Sequence, residues 1–230
     1  MKFTHDDNND EEPAHKLGRV KKSQKNQPNH FVSIPIQNSD LLKNMFKLNC
    51  DLLDVNQKVE DYLVPSTSCH LTLCTLRIDN DADLIKVRDI LDKVLRSDQI
   101  MKYFPITLDF EDISEFYNKV LYVKSNCIAE VEKLDDIRKE LLKEFDDACV
   151  NTAGNYFDFV PHLTVFKVSK AKNTISDDSV MTLMNESVWQ NYKDFKFGSE
   201  KINELQLCKM TRNIMALKTY PIEHSVKIKI

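Results

Sequence analysis

Apolar and polar positions alternate in two short stretches of the chain, His70-Leu71-Thr72-Leu73 and His162-Leu163-Thr164-Val165. A period of two marks a β-strand half-buried on one face, and residues i and i+2 of a strand share a face. Each stretch therefore presents an imidazole and a hydroxyl side by side. Elsewhere the period lengthens to that of a helix. Leu41, Met45, Leu48, Leu52 and Val55 form one apolar stripe, with Asn38 or Ser39 as the cap. Leu84, Val87, Leu91 and Val94 form a second stripe behind Asp81, and Val131, Leu134, Ile137, Leu141 and Phe145 a third over 130–149. A fourth helix is predicted at 177–190 around the single tryptophan, Trp189. Further strands are predicted at 30–36, 104–112, 117–124 and 201–210, with a short one at 214–219; the motif strands run over 69–77 and 160–168. Those at 104–112 and 117–124 read as a hairpin.

The order helix, motif strand, helix, strand occurs twice. It predicts an α+β fold of two similar lobes, with antiparallel sheets lining a central cleft and helices outside. Each lobe would contribute one motif strand; the two histidines stand 92 positions apart. Residues 1–28 are polar, running from acidic (Asp6 to Glu12) to basic (Lys16 to Lys25). They read as a disordered charged tail, the basic part being a solvated segment or an import signal. Residues 29–230 read as a single two-lobed domain.

Composition narrows the chemistry. A net charge of −4 and a pI of about 5.9 argue against wholesale attraction to nucleic acid and leave room for a local basic cleft. The three glycines, Gly18, Gly154 and Gly198, are too scattered for a P-loop or dinucleotide fingerprint. A bound phosphate must then be held by side chains. Six cysteines form no CxxC pair, and neither a signal peptide nor a membrane-length apolar run is visible. Reduced thiols in a cytoplasmic or nuclear protein are expected, with Cys69 and Cys74 as small core residues. His30, Asp158 and His224 could join the motif histidines only through folding. No HxxxH or HExxH spacing occurs, so neither metal nor cofactor is expected.

Two histidines on opposite sides of a cleft suit phosphodiester cleavage. Imidazole titrates near neutrality, so one ring can accept a proton while the other donates. Thr72 and Thr164 can donate hydrogen bonds to the non-bridging oxygens, where charge builds in the transition state. Phe166, four positions beyond His162, would share its face. Phe157 and Phe159 precede the motif. These rings either stack on a nucleobase or pack in the core. Arg77, Lys167 and Lys170 follow the motifs and could reach further phosphates.

The twin motifs resemble those of the 2H phosphoesterase superfamily. Phe31-Val32-Ser33-Ile34-Pro35-Ile36, Pro161 through Lys170, and Phe197-Gly198 with Ile202 through Cys208 are similar to the subgroup formed by the central domain of A-kinase anchor protein 7. The resemblance implies the LigT-like fold, a nucleotide-binding cleft and, for some members, cleavage of 2′,5′-linked oligoadenylate. It gives the family's catalytic roles to His70, Thr72, His162 and Thr164. The partner would be a short oligonucleotide or nucleotide, and the protein a monomer. Alternatives are a non-catalytic module for AMP- or CMP-like nucleotides and a scaffold associated with protein kinase A. The anchoring proteins hold that kinase's regulatory subunit through a helix beyond this domain. Here Lys227-Ile228-Lys229-Ile230 alternates like a strand, so the subunit is not expected as a partner. Lys2 stands where N-terminal acylation needs glycine, so no membrane anchor is expected.

Overall fold

The computed structural model describes residues 27–168, 186–211 and 219–229. The expected tail up to residue 26, the helix positions 177–185, most of the strand expected at 214–219, and Lys170 lie outside the described residues.

Eight strands form one antiparallel sheet: β1 (His30–Pro35), β2 (His70–Leu76), β3 (Thr107–Phe116), β4 (Val120–Ser125), β5 (His162–Lys167), β6 (Lys196–Lys201), β7 (Glu204–Lys209) and β8 (Ile222–Lys227). Their order across the sheet is β6-β3-β4-β5-β2-β1-β7-β8. At its centre β5 and β2 share a single pair, Leu71 with Leu163, and both side chains are fully buried. That single rung divides the sheet into two four-stranded halves, and a motif strand forms the inner edge of each.

The α+β antiparallel architecture is as expected, but the lobes are not consecutive repeats. Strands β1, β2, β7 and β8 make one half and β3 through β6 the other. The expected strand at 201–210 is β7; β6, which was not expected, precedes it, and the chain turns between them at Ile202-Asn203. The hairpin is shifted toward the C-terminus, with β3 reaching Phe116.

Helices tie the halves together. Helix α1 (Ser39–Val55) buries Leu41, Met45, Leu48 and Leu52, while Val55 stays exposed. It leaves β1 of one half and packs on β6 of the other. Asn38 caps it, its Oδ1 accepting from the Asp40 and Leu41 amides at 3.0 Å. The buried Glu200 carboxylate of β6 accepts from the amides of Gln37 and Asn38 at 2.9 and 2.8 Å. The opposite half thus accepts from the two amides that lead into the helix, while Asn38 satisfies two of its first-turn donors. Helix α2 (Asp81–Leu95), capped by Asn80, packs on β8; the short α3 (Asp98–Met101) follows it. Helix α4 (Ile128–Asp147) leaves β4 and packs on β2 and α2, burying Leu134, Ile137, Leu141 and Phe145. Helix α5 (Glu186–Tyr192) packs on β3. Each half therefore receives a helix from the other. Each large apolar side chain so buried contributes roughly 1.5–3 kcal/mol. Cys69 and Cys74 are buried, as expected, and burial pushes both thiols up to about 12. No helix among the described residues is long and apolar enough to cross a membrane.

Candidate functional site

The central rung positions the motif side chains. Leu71 and Leu163 point to the helix-covered face, so the flanking residues point to the open one. Continuing the antiparallel register one step each way sets His70 against Thr164 and Thr72 against His162. The two pairs are crossed about a local two-fold. No further ladder pair forms, so the strands splay there and open a cavity of about 380 Å³. His70, Thr72, His162 and Thr164 all line it.

Both imidazoles are held in the same way. His70 Nδ1 lies 2.8 Å from the Ser68 carbonyl and His162 Nδ1 2.7 Å from the Val160 carbonyl, each two residues upstream. A carbonyl only accepts, so Nδ1 carries the proton in both rings. That assigns proton exchange with a ligand to Nε2. Each ring also packs against a pair of aromatic rings that touch one another. His70 lies 4.8 Å from Phe31 and 5.3 Å from Tyr220; His162 lies 5.0 Å from Phe116 and 5.1 Å from Tyr122. Burial lowers the His162 pKa, the Val160 bond opposes that shift, and the Lys167 charge adds to it.

A second symmetric feature decides what else reaches the cavity. Val32 pairs with Cys74 but Ser33 with Thr72, so Leu73 is an extra residue in β2. Leu121 pairs with Phe166 but Tyr122 with Thr164, so Val165 is an extra residue in β5. A β-bulge of this kind shifts the alternation by one. Cys74 and Phe166 turn to the core, and Thr75 and Lys167 turn to the cavity. The bulge carbonyls are satisfied: Leu73 O accepts from Arg138 Nε at 3.1 Å and Val165 O from the Val64 amide at 2.8 Å.

Phe166 is thus not on the cavity face: it is 1% exposed and stacks on Tyr62 at 5.3 Å. Phe159 also lies off the cavity walls, partly buried with the Arg138 guanidinium 5.4 Å from its ring centre. Phe157 is exposed. Arg77 lies outside the cavity, its Nε 2.5 Å from Asp79. Of the basic residues proposed from sequence, Lys167 lines the cavity. Among the described lining residues it carries the one fixed charge, and none is a carboxylate. Desolvation in the concave wall lowers its pKa.

Sequence reasoning missed Thr75, Phe31, Tyr220 and the Phe116–Tyr122 pair. Thr75 had a signal: Leu73-Cys74 and Val165-Phe166 are adjacent apolar residues that break the alternation, as a bulge does. Its hydroxyl donates to Ala153 O at 2.6 Å, while Asn155 holds its backbone N and O. Phe31 and Tyr220 reach His70 through tertiary folding. Among the described residues no group of three or more His, Cys, Asp or Glu converges as metal ligands would.

A family model described as the AKAP7 2'5' RNA ligase-like domain matches residues 28–228. Human A-kinase anchor protein 7 isoform gamma is 26% identical over 215 residues, covering 91% of this chain. The chain spans 60% of that protein's length. A solved phosphoesterase superposes with a TM-score of 0.58 at 13% identity, covering 89% of this chain and 100% of its own. E. coli LigT in complex with 3'-AMP gives 0.53 at 12% identity, covering 88% and 98%. The chain belongs to the AKAP7 2'5' RNA ligase-like domain family and, with it, to the 2H phosphoesterase superfamily.

Proposed function

We propose that this family member is a metal-independent phosphodiesterase that cleaves 2′,5′-linked oligoadenylate or a related RNA-type phosphodiester. The observation that carries the reading is the crossed arrangement of His70, Thr164, Thr72 and His162 about the Leu71–Leu163 rung, on the wall of one cavity. A phosphate over that rung meets an imidazole from either side. One Nε2 takes the proton of the attacking oxygen, from water or a neighbouring ribose hydroxyl. A P–O bond forms to that oxygen, and the bond to the leaving oxygen breaks as the other imidazolium protonates it. Thr72 and Thr164 donate to the non-bridging oxygens, and Lys167 balances their charge. The family description supports the 2′,5′ linkage, and the LigT complex shows that a relative of this fold takes 3'-AMP. The exchange of helices between halves supports treating residues 29–230 as one domain.

The test incubates purified protein with 2′,5′- and 3′,5′-linked oligoadenylates in the presence of a chelator. Cleavage of the 2′,5′ substrate is expected. No cleavage of either, or undiminished cleavage by a His70→Ala/His162→Ala variant, overturns the reading; calorimetric binding of nucleotide without turnover would replace it with a non-catalytic nucleotide module.

A further inference from the structure

The motif strands β2 and β5 are joined by one pair, Leu71 with Leu163. On either side of that rung a hydrogen bond to a bulge carbonyl ties the seam again. At the His70–Thr164 end the donor is backbone. Val64, in the segment that leads into β2, donates its amide to Val165 O at 2.8 Å. The same segment carries Ser68, the anchor of His70. At the Thr72–His162 end the donor is a side chain. Arg138 of α4 donates from Nε to Leu73 O at 3.1 Å. Its Nη1 lies 3.2 Å from Asp135 Oδ1 on the same helix, and the side chain is 12% exposed.

The same guanidinium meets the segment that leads into β5. Its central carbon lies 5.4 Å from the ring centre of Phe159. That segment runs from Asn155, which is bonded to Thr75, to the buried Pro161. Between them Phe159 turns inward, while Tyr156, Phe157, Asp158 and Val160 are exposed. Yet Val160 supplies the carbonyl that orients His162, 2.7 Å from Nδ1. A guanidinium is flat and rigid, so it donates in its plane and stacks with its face. Arg138 thus touches the residue after Thr72 and the residue before Val160 at once.

We propose that Arg138 is a positioning residue for the Thr72–His162 pair: its guanidinium fixes the β2 bulge beside Thr72 and, through Phe159, the Val160 carbonyl that sets the His162 tautomer. Arg138 does not line the cavity and acts through these two neighbours. Its consequence for rate rests on the phosphodiesterase reading; its effect on the ring does not. A displacement of about 1 Å at a reacting group can cost on the order of 100-fold in rate. Arg138→Lys keeps the charge but replaces the flat fork by a point donor. It can restore the bond to Leu73 O but not the stacking on Phe159.

Nitrogen NMR of the two motif imidazoles, on the full chain at a pH where both are neutral, tests the proposal alongside cleavage of a 2′,5′-linked diadenylate. In the parent protein both rings carry the proton on Nδ1. Arg138→Met is expected to give His162 a mixture of Nδ1–H and Nε2–H tautomers while His70 keeps Nδ1–H. It should lower kcat by about ten- to 100-fold with KM little changed. Arg138→Lys should recover part of kcat and leave His162 mixed. Phe159→Leu should mix the His162 tautomers in the same way, and adding it to Arg138→Met should change their ratio no further, since both act on one carbonyl. Circular dichroism confirms that each variant folds; if Arg138→Met does not, Arg138→Lys and Phe159→Leu carry the same test. An unchanged His162 tautomer, an equal change in both rings, a loss confined to KM, or full recovery in Arg138→Lys overturns the positioning role. Mixing confined to His162 in a protein that cleaves nothing upholds that role and overturns the phosphodiesterase reading. Cleavage by every variant at the parent rate, with His162 unshifted, does the reverse.

Discussion

Removing either imidazole from the cavity isolates what the crossed arrangement contributes. In His70→Ala or His162→Ala, one proton-transfer group is lost while the opposite ring keeps its carbonyl anchor, at Val160 or Ser68 respectively. Loss of a positioned acid or base costs about 10²–10⁴ in rate, or roughly 2.7–5.4 kcal/mol at 1.36 kcal/mol per decade. On the proposed reading both rings serve one phosphate, which constrains the double variant. With one ring gone the concerted transfer is already broken, and the survivor assists a step that no longer limits the rate. The double variant should therefore lose little more than the worse single one, instead of the product of the two. Single-turnover cleavage of a 2′,5′-linked diadenylate, with products separated by chromatography, measures all three variants. Each ring is only half-buried, so circular dichroism should show native folding. Multiplicative losses would refute the shared-phosphate geometry. So would a single variant that keeps more than about a tenth of the rate.

Other expectations follow from the same geometry. Lys167→Ala should raise KM by about ten- to 100-fold, the equivalent of one charged hydrogen bond at roughly 1.5–3 kcal/mol, and flatten the salt dependence of KM; steady-state kinetics at two ionic strengths reads both. Gly154 has a φ of +96°, and a Cβ there would meet Thr75 Oγ1 at 2.5 Å. Gly154→Ala should therefore destabilise by at least about 1 kcal/mol and displace Thr75, which urea denaturation and the KM of the same variant report. Burial lowers the imidazole pKa of His30 and of His162 below 6.5. The unfolded chain then binds those protons first, so stability is full above 6.5 and falls as the pH drops toward the folded values. Urea midpoints at pH 7.5, 6.5 and 5.5 should fall in that order, less steeply for His162→Gln; equal slopes would contradict the burial argument.

Local periodicity was enough to place the motif strands, the faces of α1, α2 and α4, and the His and Thr pairs that flank each central leucine. These depend only on which residues recur along a few turns or pleats. Other features depend on segments that meet across the fold. Phe166 shares the parity of His162 but not its face, because pairing with β4 leaves Val165 as an extra residue. The same device in β2 turns Thr75 outward. Interleaving of the halves was hidden because β1 pairs with β7, a strand near the far end of the chain. Tyr220 could not be tied to His70 until folding set it against Phe31 and the His70 ring. The sequence by itself determined which His and Thr side chains flank the two central leucines; tertiary structure decided which of their neighbours face the same cavity. The reason is physical: a strand's alternation is local, whereas its register and bulges are fixed by hydrogen bonds to partners that only folding supplies.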